Sequence, residues 1–240
     1  MASDPLSPEE TRRYSRHLVL KGIGGSGQQA LKAARVLVVG AGGLGSPAIA
    51  YLAGAGVGTL GVVDNDHVSL SNLQRQMIHT TDGIGDSKVD SAGRFVHALN
   101  PHVDVVLHRE RIGDDNAETI VAGYHLVLDG TDNIATRRAV ASAAETVGLP
   151  LVSGAVSMFD GQVTVFAPGG PRFGDLYPAE ANDEDLPSCE ATGILGPLTG
   201  VIGTLMAMEA LKLITGIGEP LIGRVLTYDG KGGRFSEFSY

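Results

Sequence analysis

A glycine-rich run, Gly40-Ala-Gly-Gly-Leu-Gly45, has the residue types and spacing of a phosphate-binding turn. It follows a short apolar segment and fits the pattern G-x-G-x-x-G, with an additional glycine at position 43. Between a strand and a helix, such glycines let the backbone approach a phosphate, and the helix start directs N–H groups at it. We therefore predict that Gly40, Gly42, Gly43 and Gly45 bind a nucleotide. Dehydrogenases and nucleotidyl transferases share this turn, so it leaves the reaction open.

An acidic residue, Asp64, ends the next predicted strand. A carboxylate at this place usually accepts hydrogen bonds from ribose hydroxyls. The other interpretation is a solvated turn that Asp64 forms with Asn65 and Asp66. We predict that Asp64 and Asp66 contact the nucleotide, which suits an NAD enzyme and an ATP enzyme equally.

Donor-rich residues follow, and they include the cations Arg75 and Lys88. We expect Ser71, Asn72, Gln74 and Arg75 to reach a triphosphate, with Lys88 at or near a helix start. Two cations indicate more negative charge than one pyrophosphate on a glycine turn would bring. They could stabilise the charge that develops during attack at phosphorus. Taken singly, each cation is better explained as a surface residue.

The segment Asp129-Gly-Thr-Asp-Asn133 comes at the carboxyl end of a predicted central strand. Open α/β sheets bind ligands at this edge. Two carboxylates beside a phosphate suit Mg²⁺, which is held through one or two carboxylates and phosphate oxygens. The other interpretation is an Asx turn that caps the next helix, and Asp132 or Asn133 could serve both purposes. We predict Asp132 as the magnesium ligand and Asn133 as a further nucleotide contact.

These motifs need a sheet to position them, and strand and helix signals alternate through residues 31–153. Strands are predicted at 36–39, 60–63, 103–107, 126–128 and 151–152, and helices at 44–54, 87–99, 114–121 and 135–147. The alternation predicts an α/β fold with a Rossmann-like, doubly wound, mainly parallel sheet.

The flanking regions complete one predicted domain over residues 1–240. In residues 1–30, a capping box at Ser7-Pro-Glu-Glu10 predicts one helix that carries Arg12, Arg13, Arg16 and His17, followed by a loop at 22–27. Residues 154–240 form the predicted antiparallel extension. It comprises a strand at 161–166, a crossover loop at 167–192, a buried helix at 196–214 and a hairpin of strands 225–228 and 234–238.

The composition excludes several classes of protein. Hydrophobic residues make up 43% of the chain, which is typical of a globular protein. The formal net charge of −9 argues against nucleic acid or an anionic membrane as the main partner. One cysteine excludes an internal disulfide framework, and the first residues do not resemble a signal peptide, so we expect a cytoplasmic protein.

The ordered set of motifs resembles the MoeB/ThiF/HesA family, the bacterial relatives of ubiquitin-activating enzymes. The resemblance runs from about residue 6 to residue 240. It is carried by residues 13–17, 40–45, Asp64, 69–75, Lys88, 129–133, Gly154-Ala155 and 193–203.

The resemblance implies an enzyme that uses ATP and magnesium to adenylate a ubiquitin-like sulfur-carrier protein at its Gly-Gly C-terminus, for molybdopterin or thiamine biosynthesis. By position, Gly43, Asp64, Asn72, Arg75 and Lys88 would hold ATP, and Asp132 would be essential. Arg16 would reach the ATP of the other subunit in a homodimer. Without the resemblance, Arg16 is a solvated helix arginine.

The sequence departs from the family pattern at its cysteines. Many members carry a structural zinc on two C-x-x-C pairs, but Cys189 is the only cysteine here, so we expect no zinc. By position, Cys189 resembles the cysteine that forms a covalent bond to the carrier in some relatives. The acidic neighbours Asp183, Glu184, Asp185 and Glu190 disfavour the thiolate and favour an inert thiol.

Two other functions remain open on the sequence. An NAD-dependent oxidoreductase would explain the glycine turn and Asp64, but not Arg75, Lys88 and Asp132 together. A non-catalytic homologue that only binds the carrier would not need the full set of ATP residues.

Overall fold

The computed structural model describes residues 5–178 and 193–240. Its strands are β1 (Arg35–Val39), β2 (Thr59–Val63), β3 (Asp104–His108), β4 (Leu126–Asp129), β5 (Leu151–Ser157), β6 (Asp160–Phe166), β7 (Arg224–Asp229) and β8 (Arg234–Ser239). Its helices are α1 (Pro8–Arg13), α2 (Ser15–Leu18), α3 (Gly24–Ala33), α4 (Gly45–Ala55), α5 (Lys88–Leu99), α6 (Ala117–Val121), α7 (Ile134–Val147), α8 (Phe173–Leu176) and α9 (Gly196–Thr215). Short 3₁₀ turns span Leu70–Asn72 and Thr81–Gly83.

All eight strands form one sheet in the order β3-β2-β1-β4-β5-β6-β7-β8. The pairs from β3 to β5 are parallel, and the pairs from β5 to β8 are antiparallel. This arrangement confirms the predicted fold class. The strand order reverses between β1 and β4, which places a crevice at the carboxyl ends of these two strands.

The central strands are buried on both faces, as their continuous apolar sequences require. Alternate residues of β1 belong to different cores. Val36 and Val38 pack with α4, α5 and α9, whereas Leu37 and Val39 pack with α6 and α7. The sheet is therefore covered by a packed core on each face, and both cores include residues at the carboxyl ends of the central strands.

The N-terminal region differs from the prediction in two places. The capping box at Ser7 and Glu10 is present, but the single helix was wrong, because it divides at Tyr14. The Tyr14 side chain is buried, and its hydroxyl accepts a hydrogen bond from Asn100 Nδ2 at 2.9 Å. The loop at 22–27 was also wrong, since α3 begins at Gly24. Packing of α3 against α9 overrides the low helix propensity of its glycines.

Other boundaries moved for local reasons. The helix expected at 114–121 begins only at Ala117, because Asn116 accepts the Gly113 N–H at 2.9 Å and closes a turn there. The strand expected at 151–152 continues to Ser157 and turns back into β6. Within the crossover region, α8 interrupts the expected loop, and residues 179–192 lie outside the described ranges.

Helix α9 was expected to be buried, and it packs against α4, β5 and β6. Its Leu198, Ile202 and Met206 belong to the main core. By length and composition alone this helix could cross a membrane. A Cβ atom on Gly203 would stand 2.3 Å from the carbonyl oxygen of Leu44, so glycine allows α9 to cross close to the start of α4.

Candidate active site

A cavity of about 640 Å³ opens at the carboxyl ends of β1, β2 and β4. This is the point where the strand order reverses, as expected for a ligand site in an open α/β sheet. Its wall includes the glycine turn, Asp64, Arg75, Lys88 and Asp132. The fold thus brings together residues that lie far apart in the sequence.

The glycines of the turn have different structural environments. Gly40 has a φ of +89°, which glycine adopts without strain, and it lines the cavity with Gly42 and Gly43. Gly45 does not line the cavity. A Cβ atom there would lie 1.8 Å from the Gly40 carbonyl oxygen, so Gly45 lets α4 start directly against the turn.

Asp64 ties the turn to the end of β2. Its Oδ2 accepts the Ala41 N–H at 2.8 Å, and its Oδ1 accepts the Asp66 N–H at 2.8 Å. Each carboxylate oxygen can accept a further hydrogen bond. Asp64 therefore supports the turn and retains acceptors for ribose hydroxyls.

Lys88 is the first residue of α5, and its side chain is 7% exposed. Its Nζ donates to Asp66 Oδ2 at 2.8 Å. Asp66 itself is largely exposed. The ammonium group has two further N–H donors for a phosphate, while Asp66 keeps it aimed along the cavity wall.

The 3₁₀ turn at Leu70–Asn72 places only some of the donor-rich residues at the cavity. Asn72 and Arg75 line the cavity, whereas Ser71 and Gln74 are exposed and do not line it. Residues three apart lie on the same side of a helical turn, which separates these two pairs. Asn72 Oδ1 accepts the Ser69 N–H at 3.1 Å, and Arg75 Nη1 donates to the Ser71 carbonyl at 3.0 Å.

Gln76 is a cavity residue that sequence reasoning missed. It is buried, and its Oε1 has no hydrogen-bond partner within the described residues. Its amide nitrogen lies beside Gly42, 3.5 Å from where a Cβ atom would stand. The signal was its position one helical turn after Asn72.

The two carboxylates of the 129–133 segment separate. Asp129 is fully buried, and its Oδ1 accepts from the Thr131 N–H at 2.9 Å and the Thr131 hydroxyl at 2.7 Å. Asp132 is exposed on the cavity wall. The expected site with two carboxylates from this segment therefore does not form, because β4 carries Asp129 into the core.

Asn133 lines the cavity and also caps a helix. Its Oδ1 accepts the Thr136 N–H at 2.8 Å at the start of α7. One turn later, the buried Arg137 donates to the carbonyls of Thr131 and Gly154, the latter at 2.9 Å. Arg137 thus joins the loop of Asp132 to β5, a role that the sequence did not indicate.

Tyr177 lies near the same cavity, where it contacts Gln162. Burial raises the pKa of Tyr177, and its hydroxyl accepts a hydrogen bond from Gln162, a cavity residue of β6. The neutral phenol stacks on Phe173, with ring centroids 4.7 Å apart.

Two predicted residues lie away from the cavity or outside the description. Arg16 is exposed on α2 and does not line the cavity of its own chain. Cys189 lies outside the described residues. Within residues 5–178 and 193–240, no group of three or more His, Cys, Asp or Glu side chains is arranged around a metal position.

The chain matches the ThiF family over residues 14–240. It is 50% identical over 229 residues to a probable adenylyltransferase/sulfurtransferase MoeZ of Mycobacterium tuberculosis, which covers 93% of this chain and 58% of the relative. The chain therefore spans little more than half the length of that relative. It is 44% identical to the SAMP-activating enzyme E1 of Haloferax volcanii, covering 98% of this chain and 87% of the relative. It is 46% identical to the sulfur carrier protein adenylyltransferase of Thermus thermophilus, covering 92% and 84%.

Solved structures share the fold. PaaA superposes with a TM-score of 0.83 at 23% identity, over all of this chain and 76% of that one. MccB of E. coli with ATP superposes with a TM-score of 0.82 at 21% identity, over 95% and 70%. At these identities the likeness supports the architecture alone.

Proposed function

This chain belongs to the ThiF family, and from that premise we propose that it uses ATP to adenylate the C-terminal glycine of a ubiquitin-like sulfur-carrier protein. The observation that carries the proposal is one cavity at the strand-order reversal, whose wall holds the glycine turn, Arg75, Lys88 and Asp132. The relatives support it, since one is named a probable adenylyltransferase/sulfurtransferase and another a sulfur carrier protein adenylyltransferase.

The reaction is a displacement at phosphorus. A carboxylate oxygen of the carrier attacks the α-phosphorus of ATP, and a new P–O bond forms. The bond between the α-phosphorus and the oxygen that bridges the α- and β-phosphates breaks, and its electron pair leaves with pyrophosphate. The step needs in-line positioning and stabilisation of negative charge rather than a strong base. Arg75 and the preplaced Lys88 supply the positive charge that stabilises it.

Asp132 suits a magnesium–phosphate contact. Its carboxylate lies on the cavity wall, and no hydrogen bond or ion pair engages it among the described residues. Magnesium is held by one or two carboxylates with phosphate oxygens completing the shell, so a single free carboxylate fits. When bound, the ion would neutralise charge on the departing pyrophosphate.

The antiparallel extension supplies the other end of the cavity. Ala155, Gly161, Gln162 and Thr227 line it there. The small Ala155 side chain leaves room for a chain that ends in Gly-Gly. A Cβ atom on Gly161 would stand 2.4 Å from Ile202, so this glycine instead makes room for α9. We place the carrier tail on this side, with its carboxylate directed towards the triphosphate. The pathway, molybdopterin or thiamine biosynthesis, depends on which carrier binds, and the reaction suits the cytoplasm.

The decisive experiment is ATP–pyrophosphate exchange across candidate carriers that end in Gly-Gly. We expect exchange with one carrier and near-total loss in Asp132→Ala. Asp82→Ala is the matched control, because Asp82 is exposed on the Thr81–Gly83 turn and does not line the cavity. Retained exchange in Asp132→Ala would remove the magnesium role. No exchange with any carrier would favour a binding-only homologue, and NADH binding without ATP binding would favour an oxidoreductase.

A homodimer would give Arg16 its role. The neighbouring Val19 and Leu20 are 79% and 53% exposed, which suits a surface that another copy covers. Arg16 would then enter the partner's cavity. If so, a mixture of Arg16→Ala and Asp132→Ala chains that exchange subunits regains about a quarter of the activity, since half the dimers are mixed and each has one intact site. A mixture that stays inactive although mixed dimers form would contradict this role.

A further inference from the structure

The two peptide groups on either side of the Ala41 Cα atom, within the glycine turn, are each held by a side chain. The Ala41 N–H donates to Asp64 Oδ2 at 2.8 Å, and the Ala41 carbonyl lies 2.9 Å from His79 Nε2. Ala41 is fully buried. The Ala41 carbonyl lies in the same peptide plane as the Gly42 N–H. His79 therefore fixes the direction of the Gly42 N–H, and Asp64 fixes the peptide plane before it.

The proton positions on His79 follow from its partners. A carbonyl oxygen only accepts, so Nε2 carries the proton and donates to Ala41. Nδ1 lies 2.8 Å from the Ser91 hydroxyl, from which it accepts in the neutral ring. Burial is the main cause that lowers the pKa of His79, and the charges of Lys88 and Arg94 also lower it. The hydrogen bond to Ala41 and the charge of Asp64 raise the pKa, but they do not outweigh these causes. His79 is therefore neutral near pH 7, with one tautomer.

These contacts form a closed series of hydrogen bonds and helix positions that includes Lys88. Ser91 lies on α5, one turn after Lys88. Lys88 donates to Asp66, and the Asp66 N–H donates to Asp64. Asp64 in turn accepts the Ala41 N–H. His79 completes the loop from α5 back to the turn. It does not line the cavity, so it would act without touching the ligand.

We propose that His79 is a positioning residue that sets the register between the glycine turn and Lys88. A triphosphate must meet the backbone N–H groups of the turn and the Lys88 ammonium at the same time. A misplacement of about 1 Å between such groups costs up to about a hundredfold in rate. The inference rests on the proposed function, because it assigns His79 to the same nucleotide site.

A buried histidine that only stabilises the fold would behave differently from a positioning residue. Loss of stability alone lowers the amount of folded enzyme and leaves the KM for ATP of the folded fraction unchanged. A shift of the turn against Lys88 raises the KM for ATP and lowers kcat, while the KM for the carrier stays the same. The split between the two KM values is the discriminating readout.

Four single variants test the proposal in carrier-dependent ATP–pyrophosphate exchange, with thermal unfolding measured on each. His79→Leu removes both hydrogen bonds, and His79→Gln keeps an N–H donor for Ala41. Ser91→Ala removes the far end of the connection. His97→Gln is the matched control, because His97 is exposed on α5, the helix that carries Ser91.

We expect His79→Leu to raise the KM for ATP about tenfold or more, with most of the loss recovered in His79→Gln. Ser91→Ala should raise it about two- to fivefold and have no further effect when combined with His79→Leu. If His79→Leu does not fold, Ser91→Ala carries the test through binding of ATP to the folded protein. Unchanged nucleotide affinity in Ser91→Ala and in every His79 variant that folds would overturn the proposal.

The failure of the proposed function is recognisable separately. Normal exchange in the unmodified chain with unchanged variants would overturn only the role of His79. An unmodified chain that neither binds ATP nor exchanges pyrophosphate with any carrier would overturn the proposed function, and the role of His79 with it.

Discussion

The parallel half of the sheet, β1 to β5, and the antiparallel extension, β6 to β8, present opposite kinds of surface. In the parallel half, Ala41, Asp64, Asp66 and Lys88 are already hydrogen-bonded to one another around the cavity. In the extension, every residue of β8 is exposed along the sheet edge. Under the proposed function, the parallel half is a prearranged nucleotide site and the extension is an open surface for the carrier protein.

The physical reason is the size of each ligand. A small, highly charged ligand gains most from groups that do not reorganise, because preorganised charge stabilises a transition state without further cost. A folded protein partner needs an accessible surface of many side chains. We therefore expect changes in the parallel half to damage chemistry or folding, and changes in the extension to alter recognition of the carrier.

The largest effect is expected for Lys88→Ala. Its loss removes a preplaced ammonium group from the developing charge at phosphorus and lowers kcat about a thousandfold. Pyrophosphate exchange measures the effect, with Lys21→Ala as the control, because Lys21 is exposed and outside the cavity. A loss below tenfold would mean that the parallel half is less committed to the nucleotide than its contacts indicate.

Two glycines of α4 give the next largest contrast. A Cβ on Gly45 would meet the Gly40 carbonyl oxygen at 1.8 Å, so Gly45→Ala should destabilise the fold by about 3 kcal/mol or more. A Cβ atom on Gly54 would have no atom within 4 Å, so Gly54→Ala should stabilise the fold by about 0.5–1 kcal/mol. Chemical denaturation measures both values. Equal effects would show that the turn can yield.

A smaller effect is expected in the extension. Asp160 is exposed on β6 and lines the far end of the cavity. Asp160→Asn weakens an acceptor for backbone N–H groups of the carrier tail, so the KM for the carrier should rise about two- to fivefold. The KM for ATP should not change, and a rise in it would erase the division between the two regions.

The smallest effect is a pH dependence of stability. Burial lowers the pKa of His79 in the folded protein, while the unfolded chain keeps the ordinary value of about 6.5. As the pH falls, the unfolded state therefore binds the proton first. The contribution of neutral His79 to the free energy of unfolding is fully present above about pH 6.5 and declines as the pH falls below it. Denaturation curves between pH 7.5 and about 5 should decline less steeply for His79→Gln than for the unmodified chain.

The control for this prediction is His97→Gln, which should follow the unmodified chain. Burial also lowers the pKa of His108, which remains in every variant and contributes the same slope to each. Parallel curves for all three proteins would contradict a neutral, buried His79.

Much of the fold was predictable because its signals are local. The capping box at Ser7 needs only residues 7–10, and the alternation of buried strands with helices follows from apolar patterning. The expected loop at 22–27 failed because α3 is held by α9, which is remote in sequence. Local propensity had no information about that packing.

Within the candidate site, residue types were predictable and orientations were not. The sequence grouped Ser71, Asn72, Gln74 and Arg75, but only a 3₁₀ turn could divide them into two pairs. Gln76 was overlooked for the same reason. The site residues remain predictions until the variants above are measured.

The sequence by itself determined the layered α/β architecture and the family, and it supplied the prediction that the glycine turn binds phosphate. Tertiary structure alone decided that Asp129 is buried while Asp132 lines the cavity, and that His79 joins the turn to the helix of Lys88. Patterning within a segment encodes its own secondary structure. Contacts between residues about forty positions apart depend on strand order and helix packing, which no local pattern specifies.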